Sequence, residues 1–336
     1  MSMDSGTQVF NRQIKQLHRI NALRIQQSSD IDYTYLHSYI GNQLLDRLAI
    51  LQRKFTNTLE IGANNGVLFK LLQQRDINDL HGIDQLVLTD NSIPHINYLH
   101  KYINNTDNIV HKHIKTHLVA SDEEWISARS NSMSLVLSNM TLHWCNDLSS
   151  ILQQIRSVLV PDGVFLCSML GGATLQELRS AFACADIERN GGVAPHISPF
   201  VAGRDCGDLL QSNGYSMPTV DTEQITIRYP DMFTLCEHLK SMGETNAINN
   251  MLSSVSRDTF LSAASIYHSM YADSDGLIPA TFQVYYLIGW SPDSTQPKPK
   301  RRGSQQGSFD DGLSEVQKQS FKPLNTNDTN NHTQIK

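Results

Sequence analysis

Three acids and two glycines carry the first chemical reading of this chain. In residues 59–66 (LEIGANNG) an apolar run enters a glycine turn, and residues 66–72 (GVLFKLL) continue at helical spacing. A strand that turns through glycine into a helix brings bare backbone close to a ligand at the carboxyl edge of a sheet. Gly62 and Gly66 hold the outer positions of a GxGxG pattern, not the GxGxxG of dinucleotide folds. Asp90 ends the next apolar run, residues 86–89, where a carboxylate can accept both hydroxyls of a ribose. Asp122 and Glu123 precede the apolar residues 135–138, where an acid can take an adenine amino group. Each acid alone is an ordinary solvated loop residue. In this order they describe a nucleoside site.

Other side chains suggest chemistry beside that site. His143 and Trp144 directly follow the run 135–138. Trp144 could wall a substrate pocket and His143 could serve as base or hydrogen-bond donor; equally, both could cap the strand and pack against the next helix. His196, between Pro195 and Ile197, lies in a glycine-flanked loop able to close over a site, or bonds backbone within a proline turn. His111, His113 and His117 invite a metal reading, but no carboxylate or cysteine stands at ligand spacing, so a polar strand and no metal are expected.

These residues need elements to position them. A helical lead-in runs to about Arg53, with Tyr33, Leu36, Ile40, Leu44, Leu48 and Leu51 on one face. Strands at 58–61, 86–89, 135–138 and 164–168 alternate with helices at 66–72 and 148–159, and residues 161–163 (PDG) read as a turn. Such alternation implies an α/β fold on a mainly parallel sheet. Beyond residue 170, glycine pairs at 171–172 and 191–192 bracket a helix. Strands at 222–228 and 280–290 then flank a helical insertion, 231–271. The expected organisation is a lead-in (1–55), a nucleotide-binding core (56–170), lid and completing strands of the same domain (171–290), and a disordered tail (291–336).

Composition excludes some partners. With 336 residues, 40% hydrophobic and 18% charged, the chain reads as a soluble globular protein. A net charge of -6 supplies no global basic field for nucleic acid. Five dispersed cysteines without a CxxC pair suggest reduced thiols of cytosol or mitochondrial matrix, mostly core filler. No apolar run approaches the roughly 20 residues of a membrane-spanning helix. Residues 5–29 lack acids but carry Arg12, Lys15, Arg19 and Arg24, with Phe10, Ile14 and Leu17 at helical spacing. That fits a mitochondrial presequence, or an N-terminal helix of the domain with its polar face in water.

A resemblance joins these features. The chain from Gln8 to Trp290 resembles the mitochondrial complex I assembly factor 5 family, methyltransferase-like proteins also described as arginine hydroxylases. The motifs that carry it are 138–144 (SNMTLHW), 161–165 (PDGVF), 171–179 (GGATLQELR), 191–200 (GGVAPHISPF), 229–233 (YPDMF), 241–246 (SMGETN) and 279–290 (PATFQVYYLIGW). It begins its core at residues 9–12 (VFNR), which favours the domain-helix reading of the N-terminus. The resemblance implies a class I S-adenosylmethionine-dependent, Rossmann-like fold, with Asn57 to Phe165 as its nucleotide unit. It implies S-adenosylmethionine held at Glu60, Gly62, Asn64, Gly66, Asp90, Asp122 and Glu123, and chemistry at His143, Trp144 and His196. Where this chain has Glu60 the family's loop has aspartate; where it has Asn64, glycine. Asparagine tolerates positive φ but adds bulk beside the cofactor's methionine part. Ser134 replaces an aspartate that often starts the fourth strand.

The implied activity is hydroxylation of an arginine on a complex I core subunit near the quinone site. Assembly intermediates are the implied partners, in the matrix peripheral to the inner membrane. The residues show neither an iron facial-triad pattern nor a flavin motif to supply the oxidant. The Asn-Pro-Pro-Tyr type signature of base-amine methylation is also absent. A small-molecule or acyl-carrier O-methyltransferase, which shares the Leu-His-Trp element, is a second reading. A non-catalytic assembly chaperone is the third, with Asn64 as the feature behind it.

Overall fold

Short apolar runs punctuated by glycine and polar residues become strands because both faces of the sheet they form are covered. In the computed structural model, which describes residues 8–76, 80–105, 112–249 and 255–297, these are β1 (Asn57–Ile61), β2 (Gln85–Asp90), β4 (Met133–Asn139) and β5 (Leu159–Leu170). With the polar β3 (Lys115–Ala120) and the long β6 (Ser216–Tyr229) and β7 (Ile278–Trp290), they order as β3-β2-β1-β4-β5-β7-β6. The first five strands are parallel, and β7 runs antiparallel between β5 and β6. The expected mainly parallel sheet is therefore present.

Helices cover both faces. One face carries α2 (Tyr35–Ala49), α3 (Val67–Gln74), α4 (Ile93–Asn104), α6 (Gln176–Asn190), α8 (Met232–Met242) and α9 (Arg257–Tyr271), whose apolar residues share one core. The other carries α5 (Leu148–Val158) and α7 (Gly203–Ser212) around Phe165, Cys167 and Tyr215. The α2 stripe read from the sequence is buried at Leu36, Ile40, Leu44 and Leu48. Cys145, Cys167 and Cys206 are buried, Cys184 is exposed, and all five thiols are free.

Two local expectations fail. Residues 161–163 are not a turn between the helix and the next strand but bulge from within β5: β4 pairs Met133 with Leu159 and then Leu135 with Val164. Asp162 takes the positive φ that the bulge demands. The second concerns α1 (Arg12–Ser28), whose polar face is not in water. Its buried residues are Lys15, Arg19, Ala22 and Leu23, whereas Leu17 is 58% exposed. The carboxylates beneath it, described below, draw the cations inward.

The described residues up to Ser294 form one unit. The tail expected to be disordered lies, from residue 298 onward, outside the described residues, as does His111.

Candidate active site

The loop after β1 approaches its neighbours too closely for side chains. Gly62 and Gly66 both have positive φ, and a Cβ on either would strike Thr141 or Leu99 respectively. Asn64 adopts a φ of 53° between them, as asparagine can. Its backbone N–H donates to Asp90 Oδ2 at 2.8 Å, while the N–H of Ser92 donates to Oδ1 at 2.8 Å. Asp90, fully buried at the end of β2, is thus aimed at the loop. Glu60 is buried behind it, with Oε2 unpartnered among the described residues. Burial, helped by nearby Asp90, pushes its pKa up to about 8, so it stands protonated at neutral pH rather than as an anion.

Guanidinium groups of α1 hold the nucleoside acids. Arg19 pairs with Asp90 through Nη2 and donates from Nη1 to Glu123 Oε1 at 2.9 Å. Arg12 bridges Asp122 and Glu123, and Asn91 Nδ2 donates to Glu123 Oε2 at 2.7 Å. Asp90 and Glu123 are thereby brought together by one arginine, with half-exposed Asp122 at the rim. With α1 seated, the cleft between Arg19, Asn64, Met140 and Trp144 retains about 20 Å³, room for about one water.

A second charged cluster lies at the ends of β4 and α8. Gly243, with φ 79°, closes α8 in a left-handed cap, and Glu244 turns inward from it. The N–H of Glu244 returns to the Leu239 carbonyl at 2.8 Å. Trp144 Nε1 donates to Glu244 Oε2 at 2.9 Å, with His143 Nε2 at 3.4 Å from the same oxygen and His37 Nε2 at 3.5 Å from Oε1. Lys15 Nζ donates to the Gly243 carbonyl at 2.6 Å, sits 3.3 Å from Glu244 Oε2, and lies 3.4 Å above the Trp144 ring.

Burial opposes every charge in this cluster. It pulls the Lys15 ammonium down to about 7 although Glu244 favours it, and it holds His143 below the usual imidazole range. Burial likewise pushes Glu244 upward, but Lys15, His143 and His37 outweigh it and keep the carboxyl well below the usual range. Glu244 is therefore an anion at neutral pH, beside a neutral imidazole and an ammonium poised to titrate.

Trp144 and Glu244 also line a cavity of about 390 Å³ on their other side, within the ordinary range for ligand sites. Its wall is mainly apolar, including Leu178, Phe182, Phe200 and Phe282. His196 belongs to this wall rather than to the Glu244 cluster: Nε2 meets Asp186 Oδ2 at 2.8 Å and the ring stacks on Phe182 at 4.4 Å. Phe200 contacts both His143 and Trp144 edge-on. Among the described residues, no group of three or more His, Cys, Asp or Glu could hold a metal ion.

Sequence reasoning places His143 and Trp144 but misses Lys15, His37 and Glu244, and misses Arg12 and Arg19 as partners of the acids. A signal exists for the basic residues. Positions 12, 15 and 19 follow i, i+3, i+7, the spacing of a buried helical stripe, only written in cations. Glu244 sits in the SMGETN string, whose chemistry nothing local reveals.

Sheet order, glycine turn and acid-bearing strand end together define a class I, Rossmann-like methyltransferase-fold enzyme. A family model described as a methyltransferase domain matches residues 34–220, over half of the chain. The chain belongs to this family and, within it, to that of the arginine-hydroxylase NDUFAF5. The Danio rerio protein of that name, designated mitochondrial, is 39% identical over 317 residues, 94% of this chain and 93% of its own. A malonyl-[acyl-carrier protein] O-methyltransferase of Xylella fastidiosa is 33% identical over 178 residues, 53% of this chain and 58% of its own. Among solved structures, the YcgJ protein of Bacillus subtilis matches at TM-score 0.51 and 11% identity, over 76% of this chain and 99% of its own, a likeness of fold.

Proposed function

We propose that this protein hydroxylates an arginine on a core subunit of respiratory complex I near the quinone site, during assembly in the mitochondrial matrix. The observation that carries the reading is Glu244, a buried carboxylate that faces an apolar cavity and the nucleoside cleft at once. The relatives' name, arginine hydroxylase, supports it. Hydroxylation places one oxygen atom of dioxygen into a C–H bond of the arginine side chain. The other leaves as water, using two protons and two electrons from an external two-electron reductant. No helix among the described residues is long and apolar enough to cross a membrane, so attachment to the inner membrane is proposed as peripheral.

The cleft residues fit S-adenosylmethionine. Asp90 offers oxygens for ribose hydroxyls, Glu123 and Asp122 for an adenine amino group, and Gly62 and Gly66 the close backbone approach. When bound, the cofactor supplies an electrophilic sulfonium methyl group. Arg19 and Arg12 occupy these acids and leave space for about one water, so binding requires their withdrawal with α1. Met140, Thr141 and Trp144 already line the cleft beside Asn64, whose side chain remains on its wall.

Mass spectrometry of complex I subunit peptides, assembly intermediates included, tests the proposal in cells with and without the protein. An arginine peptide that loses one oxygen's mass without the protein supports it. Loss of a methyl's mass converts the enzyme into a methyltransferase. Unchanged peptides with failed assembly overturn enzymatic modification and leave a chaperone, a reading favoured by the arginines in the cleft. The apolar cavity also suits an acyl thioester, so methylation of a malonyl thioester by purified protein would establish the acyl-carrier reading instead.

A further inference from the structure

We infer that Glu244 and Trp144 form a cation subsite for the side chain the enzyme modifies, that Lys15 of α1 fills it in the free protein, and that a guanidinium takes Lys15's place. The inference deepens the arginine reading above and rests on it.

The recognition chemistry is already assembled. A buried carboxylate and the face of an indole are the two partners a desolvated organic cation needs, and Lys15 uses both. The same two residues line the apolar cavity, so a cation entering there reaches the carboxylate that Lys15 now holds. Apolar walls suit the methylenes of an arginine stem, which bury readily while the head finds charge. A guanidinium brings five donors where an ammonium brings three. Among the described residues, three buried ring nitrogens around Glu244 stand without hydrogen-bond partners: Nδ1 of His143, whose Nε2 already approaches Glu244, Nε2 of His37, 3.5 Å from Glu244 Oε1, and Nδ1 of His18 on the cavity wall. The present occupant leaves acceptors unused.

The occupant is also exchangeable by the nature of its seat. The buried face of α1 carries two cations, Lys15 and Arg19, beside Ala22 and Leu23, so charge pairing is a large part of what holds it down, together with the apolar packing of Ile14 on Phe10 and Trp144. Arg19 and Arg12 leave their acids for a nucleoside to bind, and Lys15, on the same face, moves with them. One displacement of α1 clears both the nucleoside acids and Glu244, which couples cofactor binding to exposure of the cation subsite.

The test uses the full chain carrying Lys15→Ala, with butylguanidinium as probe and butylurea as its neutral isostere, read by thermal shift and by Trp144 fluorescence. The expected result is binding of butylguanidinium at least tenfold tighter than in the wild type, no matching gain for butylurea, and loss of the gain in Lys15→Ala/Glu244→Gln. Equal responses to the two probes, or a gain that survives Glu244→Gln, overturn the inference. Lys15→Met, which keeps the stem, is the second variant. Should either variant unfold, refolding by butylguanidinium but not butylurea supports the subsite, and refolding by neither overturns it. The readout needs no cofactor and no turnover. A modified arginine peptide in cells with no guanidinium binding here would sink the subsite alone; binding here with unmodified peptides would sink the arginine reaction.

Discussion

The two helices of the N-terminal lead-in, α1 and α2, differ in what they bury. α2 places Leu36, Ile40, Leu44, Leu45 and Leu48 against the sheet, and it carries its own reason to stay. α1 places Lys15 and Arg19 over Asp90, Glu123 and Glu244, and its exposed Leu17 contributes little. Apolar burial is non-directional and accepts no substitute from solution. A guanidinium on a carboxylate can be replaced by any ligand that satisfies the same oxygens. α2 is therefore a permanent wall, whereas α1 is a stopper made of charges.

The largest effect expected from breaking this contrast is on the wall. Leu44→Ala, at a fully buried position, should cost about 2–5 kcal/mol of global stability in denaturant titration. The loss should be the same at low and high salt. Next comes acid. Burial, reinforced by Arg19, holds the His95 imidazole near 4, below its ordinary 6.5. Because the folded-state value is depressed, the unfolded chain takes up this proton first, and stability present above pH 6.5 is lost as pH falls toward 4. The loss amounts to at most roughly 3 kcal/mol. His95→Gln should flatten that slope in denaturation curves measured across the interval.

A smaller effect separates the two helices directly. Raising salt from about 0.1 to 1 M shortens the screening length from about 10 to 3 Å. That weakens the solvent-reached Arg12–Asp122 pair and screens the Lys15 and Arg19 charges once α1 opens, although their buried pairs are screened little while it is seated. Amides of α1 should then exchange hydrogen about fivefold faster, roughly 1 kcal/mol, while those of α2 do not change. Equal acceleration in both helices would erase the contrast. The smallest effect belongs to Leu17→Ala, which should leave stability within about 0.5 kcal/mol of the wild type.

The difference between the helices also explains what the sequence reveals. The α2 stripe is legible because apolar side chains declare their face locally. The glycine loop and Asp90 are legible for the same reason: turn, strand end and acid lie within one strand–helix–strand unit. The buried face of α1 is not legible, because a cation's burial depends on acids 71, 104 and 229 residues away. Read alone, Lys15 and Arg19 belong in water. The PDG string at residues 161–163 misleads oppositely, its strong local turn signal absorbed as a bulge in the pairing of β5 with β4. His196, read from sequence as a site residue, lines the apolar cavity, with Nε2 on Asp186 and its ring stacked on Phe182, partners 10 and 14 residues away in the chain that no local pattern announces.

The most direct measurement is hydrogen exchange of the full-length protein with and without S-adenosylhomocysteine, followed along α1 and α2. If the nucleoside takes Asp90 and Glu123 from Arg19 and Arg12, α1 amides lose protection when ligand binds, while the loop after β1 gains it and α2 stays constant. Ligand binding that leaves α1 as protected as before, or more so, would contradict the account and make Arg19 a wall of the closed cofactor site rather than its stopper.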